Sequence, residues 1–146
     1  MKRLSVTIVA PEKVLFSGEA DIVVAPGELG ELGILPGHAP LLTSLKPGAL
    51  FLRLDGDEWG MYLSGGFMEV LEDHVKVLAD SGDRAEEIDI EEEREKIKEL
   101  LQSKGEEADA AKLRSEISKA LARIRVVERW GRGRPRLEDY RRGSGQ

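Results

Sequence analysis

The stretch PGELGELGILPGHAPLLTSLKPG, residues 26–48, places glycines at 27, 30, 33 and 37 and one of the chain's two histidines, His38, in one segment. Closely spaced glycines can bring backbone N–H groups up to a phosphate, and a histidine can move a proton or ligate a metal. The spacing matches neither Gly-x-Gly-x-x-Gly nor the Walker pattern, and no Gly-Lys-Ser/Thr follows. Turn chemistry accounts for it better, with glycine where φ is positive and proline where φ is fixed. Asp55-Gly56-Asp57 opens like a calcium loop, but Trp59 and Gly66 stand at its fifth and twelfth positions, where oxygen ligands belong. His38 and His74 have no helical partner at metal-ligating spacing, the chain has no cysteine, and no serine lies in a nucleophile elbow. The residues by themselves predict no catalytic group, no metal and no cofactor.

The elements that carry these residues follow two periods. LSVTIV (4–9) and ADIVVA (20–25) are short β-branched runs. Leu50–Leu54 and Trp59–Leu63 flank Asp55-Gly56, a strong hairpin signal, and Phe67–Leu71 and Val75–Leu78 flank Glu72-Asp73-His74. Short strands punctuated by glycine or proline predict an antiparallel sandwich or barrel up to about Asp80. Then the period changes. Asp89 is a good helix N-cap and Glu92 completes a capping box. Ile90, Ile97 and Leu101 lie near one helical face, Ser103-Lys104-Gly105 interrupts, and Leu113, Ile117, Leu121, Ile124 and Val127 form a second stripe. The fold class is an all-β sandwich followed by an α-helical hairpin. Residues 1–83 form the sandwich and 84–130 the hairpin, while 131–146, GRGRPRLEDYRRGSGQ, are a basic tail without period that predicts disorder.

Composition narrows the function classes. No apolar run approaches the ~20 residues of a membrane span, and the opening MKRLSVTIVAPEK alternates polar and apolar residues unlike a signal peptide, so a cytosolic chain is expected. The net charge of −6 conceals a gradient: residues 1–83 carry six basic and thirteen acidic side chains, residues 117–146 nine and three. The basic end should seek an acidic partner. Arg132-Gly133-Arg134-Pro135 is similar to the core of an AT-hook, which makes a DNA-binding protein the alternative reading. Leu137-Glu138-Asp139 follow with opposing charge, so a solvated basic tail is favoured and no nucleic acid is expected as a partner.

Three separated motifs, GELGILPGHAPLLTSLKPG (30–48), YLSGGFMEVLEDHVKVLAD (62–80) and SEISKALARIRVVE (115–128), together resemble the epsilon subunits of bacterial F-type ATP synthases. The resemblance runs to about Arg129. It implies a ten-stranded N-terminal β-sandwich and a C-terminal helical hairpin. It also implies a non-catalytic rotor subunit at the foot of the central stalk, on the cytoplasmic face of the cell membrane. Its partners would be the gamma subunit, the c-ring and the beta subunit of the catalytic head. The subunit would couple proton flow to ATP synthesis, and its hairpin would restrain ATP hydrolysis by rising along gamma.

Residue by residue, the resemblance places Glu31 toward the c-ring, with Gly33 and His38 beside it on a docking edge. Lys119, Arg123, Arg125 and Arg129 match the basic residues that approach an acidic segment of the beta subunit. A continuous helix from Asp89 to Arg129 would span about 60 Å, and Gly105 in the connection costs only about 1 kcal/mol in a helix, so both arrangements are accessible. Some members bind ATP through Ile-Asp-x-x-Arg-Ala plus basic residues of the second helix. Ile88, Asp89, Lys119 and Arg123 match that pattern, but Glu92 and Glu93 stand where Arg and Ala belong. Glu92 would repel a triphosphate, so tight ATP binding is not expected.

Overall fold

The computed structural model describes residues 2–102 and 110–130. Ten strands come first: β1 (Leu4–Ala10), β2 (Lys13–Ala20), β3 (Ile22–Gly27), β4 (Gly30–Ile34), β5 (Leu41–Leu45), β6 (Gly48–Leu54), β7 (Asp57–Leu63), β8 (Gly66–Leu71), β9 (His74–Ala79) and β10 (Gly82–Arg84). A 3-10 turn at Ala85–Glu87 leads to two helices, α1 (Ile90–Gln102) and α2 (Ala110–Trp130). The segment 103–109, with Gly105, and the tail 131–146, with the AT-hook-like arginines, lie outside the described residues.

The strands follow the path β10-β7-β6-β3-β5-β8-β9-β1-β2, with β4 paired to β3. β3 meets β5 through one pair, Gly27 opposite Leu45. There the sheet folds into two five-stranded halves facing each other. Side chains of both, among them Leu4, Ile8, Phe16, Val23, Ile34, Leu50, Leu52, Met61, Leu63, Met68 and Val77, form one buried core. The hairpin turns are where the sequence puts them: Asp55 and Gly56 both have positive φ between β6 and β7, as do Glu72 and Asp73 between β8 and β9.

The glycine- and proline-rich segment, a loop by composition, instead contains β4 and β5. Gly33 is a strand residue opposite Val24, while Gly30 and Gly37 do take the positive φ of turns. Ile34 explains the difference: it is fully buried, and the core contact holds 30–34 against β3 despite two glycines. The strand region also runs further than Asp80 suggests, because Gly82–Arg84 pairs with β7.

β6 and β7 are buried on both faces. Leu50, Leu52, Met61 and Leu63 point into the core, while Phe51 and Tyr62 join a second apolar cluster with Ala85, Ile88 and Val126. Helix α2 is therefore the outer cover of β6–β7. The stripe read from spacing is shifted. Ile124 is buried as expected, but Leu121 is half-exposed, and Ala120 and Val126 are buried in its place. On α1 Leu101 is exposed, and the one buried residue is the acidic Glu93. Asp89 caps α1, its Oδ1 accepting from the backbone N–H of Glu91 at 3.0 Å and Glu92 at 3.2 Å.

Candidate functional site

One outer face of the sandwich lies under the hairpin, and no other described residue covers the opposite face. Register aligns Ser44, Phe67, Leu78, Val9 and Val14 in a row across β5, β8, β9, β1 and β2. Phe67 is 56% exposed, Leu78 62% and Val14 50%, and Leu42 on β5 reaches 72%. Alternation along β8 and β9 sends Met68, Val70, Val75 and Val77 inward and these apolar side chains outward. A contiguous apolar strip on an otherwise charged chain is a candidate docking surface, since water-facing positions of that kind are normally polar.

The residues assigned to the docking edge lie on β4, which pairs with β3 in the half that carries β6 and β7, and in the turn that follows it. Glu31 and Gly33 are exposed on β4, opposite Pro26 and Val24. His38 is half-buried in the following turn, where its Nδ1 lies 2.7 Å from the Ala39 carbonyl oxygen and its backbone N–H donates to Leu35. Gly37 N–H donates to Asp73 Oδ1 at 2.7 Å, which ties this turn to the β8–β9 turn. Pro36, Pro40 and that bond hold the turn with little freedom to lose on binding.

The basic residues of α2 divide into two sets. Arg123 Nε donates to Glu93 Oε1 at 2.8 Å, its Nη1 donates to Asp83 Oδ2 at 2.6 Å, and its guanidinium lies 5.2 Å from the Tyr62 ring centroid. Arg129 makes a forked pair with Glu58 at 2.7 and 2.8 Å and lies 3.9 Å over the Phe51 ring. Arg53 also donates to Glu58, at 3.3 Å. Lys119 pairs loosely with Glu116 at 3.7 Å. Arg125 is exposed and lines, with Glu31, Lys46, Phe51 and Leu121, a cleft of about 390 Å³ between α2 and the sandwich.

These contacts set the charge states. Burial raises the Glu58 pKa, but the hydrogen bond and charge of Arg129, with those of Arg53, outweigh it and hold the carboxyl below its ordinary value. Asp83 is likewise lowered: burial opposes, and Arg123 with Lys13 prevails. Burial alone would depress Arg123, yet Asp83 and Glu93 drive it upward. All three are charged at neutral pH.

Ile88 is buried in the cluster beneath the helices, and Asp89 is occupied as a cap. Arg123, the match on the second helix, is taken by Glu93, which stands where the nucleotide-binding pattern has Ala. Among the described residues no group of three or more His, Asp or Glu side chains could hold a metal. Sequence reasoning missed the partners Glu58, Asp83, Phe51 and Tyr62. The signal was present in Leu50-Phe51-Leu52 and Met61-Tyr62-Leu63, whose lack of alternation marks strands covered on both faces.

Residues 3–85 match the family model for the beta-sandwich domain of the ATP synthase delta/epsilon chain. The chain is similar to the ATP synthase epsilon chain of Desulforamulus reducens, with 48% identity over 124 residues, 83% of this chain and 94% of that one. It is similar to the one from Dehalococcoides mccartyi strain BAV1, with 43% identity over 133 residues, 88% and 95% of the two chains. Among solved structures it resembles a chain of the Euglena gracilis mitochondrial ATP synthase OSCP/F1/c-ring assembly in rotational state 1. There the TM-score is 0.68 and the identity 25%, over 87% of this chain and 80% of that chain. A chain from the central stalk and c-ring of Tetrahymena thermophila mitochondrial ATP synthase shares the fold, with a TM-score of 0.54 at 18% identity, over 86% and 97%.

Proposed function

From the premise that the chain belongs to the ATP synthase epsilon chains, we propose that it is a non-catalytic rotor subunit that joins the gamma subunit to the c-ring. The bare apolar row of Phe67, Leu78, Val9 and Val14 carries this reading. It is a broad, flat, rigid surface on a sheet, suited to permanent cover by a partner subunit rather than to a small ligand. Gamma covers that face. The tethered turn with Glu31, Gly33 and His38 meets the polar surface of the c-ring, where low conformational freedom suits a contact that transmits torque. The assembly sits on the cytoplasmic face of the membrane, and no helix of the described residues is long and apolar enough to cross it.

The hairpin restrains ATP hydrolysis when it leaves the sandwich and presents Lys119, Arg123, Arg125 and Arg129 to an acidic surface of the beta subunit. ATP itself is not a tight ligand of this subunit. The Glu93–Arg123 pair and the carboxylate of Glu92 support that view, since a triphosphate would have to displace one and approach the other.

Co-purification with gamma tests the rotor reading. The wild-type chain should form a stable complex, and Phe67→Glu with Leu78→Glu should abolish it while the sandwich stays folded, because both side chains already face water. Stable complex formation by that variant would remove the apolar row from the interface. Tight, A·T-selective DNA binding that is lost on deleting residues 131–146 would favour the DNA-binding reading instead.

A further inference from the structure

Arg123 and Arg129 are claimed twice. In the folded-down hairpin each is committed to carboxylates, and in the raised hairpin each would have to face a different acidic partner. We propose that Glu58, Asp83 and Glu93 form an internal latch that competes with the catalytic head for these two arginines, so that the latch sets how often the hairpin is free. This rests on the reading of the hairpin as a restraint on hydrolysis.

Geometry makes the latch specific. Glu58 lies on β7 and is buried, reached by the fork of Arg129 from α2 and by Arg53 from β6. Asp83 on β10 receives Arg123 from α2 and lies 3.5 Å from Lys13 Nζ of β2. Glu93 on α1 is 3% exposed and receives Arg123 Nε, with Lys96 at 3.6 Å. A single side chain, Arg123, thus ties both helices and the sandwich together, and Arg129 fixes the far end of α2 about one and two-thirds turns further on. Both guanidinium groups cover aromatic rings of the strands, Tyr62 and Phe51, which lie on the very face the hairpin protects.

The latch is also built to open. Two buried oxygens near Arg123, the Tyr62 hydroxyl and Glu93 Oε2, have no hydrogen-bond partner among the described residues. Their lost hydration is a standing cost of the docked state that undocking recovers. Ile124, Val126 and Ala120 of α2 are buried, and Ala122, Val127 and Trp130 pack half-buried against the same cluster, so apolar contact and ion pairs share the docking. The ion pairs are the part that an acidic partner can replace in kind.

The test uses the full chain, which has no cysteine of its own, with spin labels at Ser17→Cys on β2 and Ser115→Cys on α2, both exposed and outside the latch. Pulsed-EPR distance distributions should show one docked population. Glu58→Gln with Asp83→Asn should raise the detached-to-docked ratio roughly tenfold or more, the loss expected for hydrogen-bonded charge pairs partly out of water. Arg129→Gln, which alters no side chain of the sandwich itself, should act in the same direction, and Glu58→Arg combined with Arg129→Glu should restore the docked distance. An unchanged distribution in the carboxylate variant and in Arg129→Gln would overturn the latch. In reconstituted complexes the carboxylate variant, its arginines intact and released, should restrain ATP hydrolysis more strongly than wild type. Detachment without any change in hydrolysis would leave the latch standing and sink the restraint reading.

Discussion

Gly66→Ala should be among the most damaging single substitutions in the sandwich, although it adds one methyl group. Gly66 begins β8 at φ +143°, directly after Gly65 and just before Phe67 on the proposed gamma-binding face. A Cβ built there would lie 2.1 Å from the Leu78 carbonyl oxygen and 2.8 Å from Ala79 Cα. Both are backbone atoms of β9, so no rotamer change relieves the clash. β8 and β9 must part by about 1 Å at the Gly66–Ala79 pair to regain normal contact, which costs one or two ladder hydrogen bonds at about 1 kcal/mol each. The backbone conformation, unfavourable for a residue with a Cβ, adds roughly 1–3 kcal/mol. Together the loss is about 3–5 kcal/mol, against a total stability on the order of 5–15 kcal/mol. For a sandwich of this size the melting temperature should fall by roughly 15–30 °C. Gly56→Ala is the control: φ is also positive there, at +86°, but among the described residues nothing beyond its own chain neighbours lies within 4 Å of the added Cβ. It should cost only about 1 kcal/mol, or roughly 5 °C. Thermal unfolding followed by circular dichroism distinguishes the two. A Gly66→Ala melting temperature equal to that of Gly56→Ala would refute the claim that backbone proximity across β8–β9 governs this site.

Removal of both helices by ending the chain after Glu87 should leave a folded sandwich, because its core cluster is separate from the Phe51–Tyr62–Val126 cluster. Loss of cover on Phe51 and Tyr62, about 1.5–3 kcal/mol each, should appear as dye binding and lower solubility rather than unfolding. Truncation at Gly82 would cut β10 and should melt distinctly lower. In reconstituted complexes, both the Glu87 truncation and Glu at positions 119, 123, 125 and 129 should raise ATP hydrolysis, and rates equal to wild type in both would deny the hairpin an inhibitory role. Glu31→Lys, on the exposed edge of β4, should shift the melting temperature by no more than a degree or two while weakening assembly or coupling with the membrane sector. Acid should loosen the hairpin in a defined window. Glu58, Asp83 and Glu87 have lowered pKa values in the fold, so their stabilisation is complete above the ordinary carboxylate range and is lost as pH falls through their folded values. The stability difference between wild type and Glu58→Gln should stay constant from neutrality to about pH 5 and shrink below about pH 4.

The sequence by itself determined the two periods, the hairpin turns at Asp55-Gly56 and Glu72-Asp73, the Asp89 cap and the family, since each depends on neighbours a few residues apart or on contiguous motifs. It misjudged β4 and β5, where local glycine and proline content argued for a loop and burial of Ile34 and Leu45 decided otherwise. Exposed Glu31 and the apolar alternation of β8 and β9 were legible, but only the register across five strands joined Phe67, Leu78, Val9 and Val14 into one surface. The latch was not legible at all. Glu58 and Arg129 are 71 residues apart and Asp83 and Arg123 are 40 apart, and nothing in local propensity links them. Periodicity marked one face of α2 as apolar, yet burial falls on Ala120, Ile124 and Val126 with Leu121 half-exposed, and only the docked helix shows that Arg123 and Arg129 turn inward to carboxylates. Local patterning reports what a segment can bury. Which charges it then meets is decided by close packing between elements far apart in the chain.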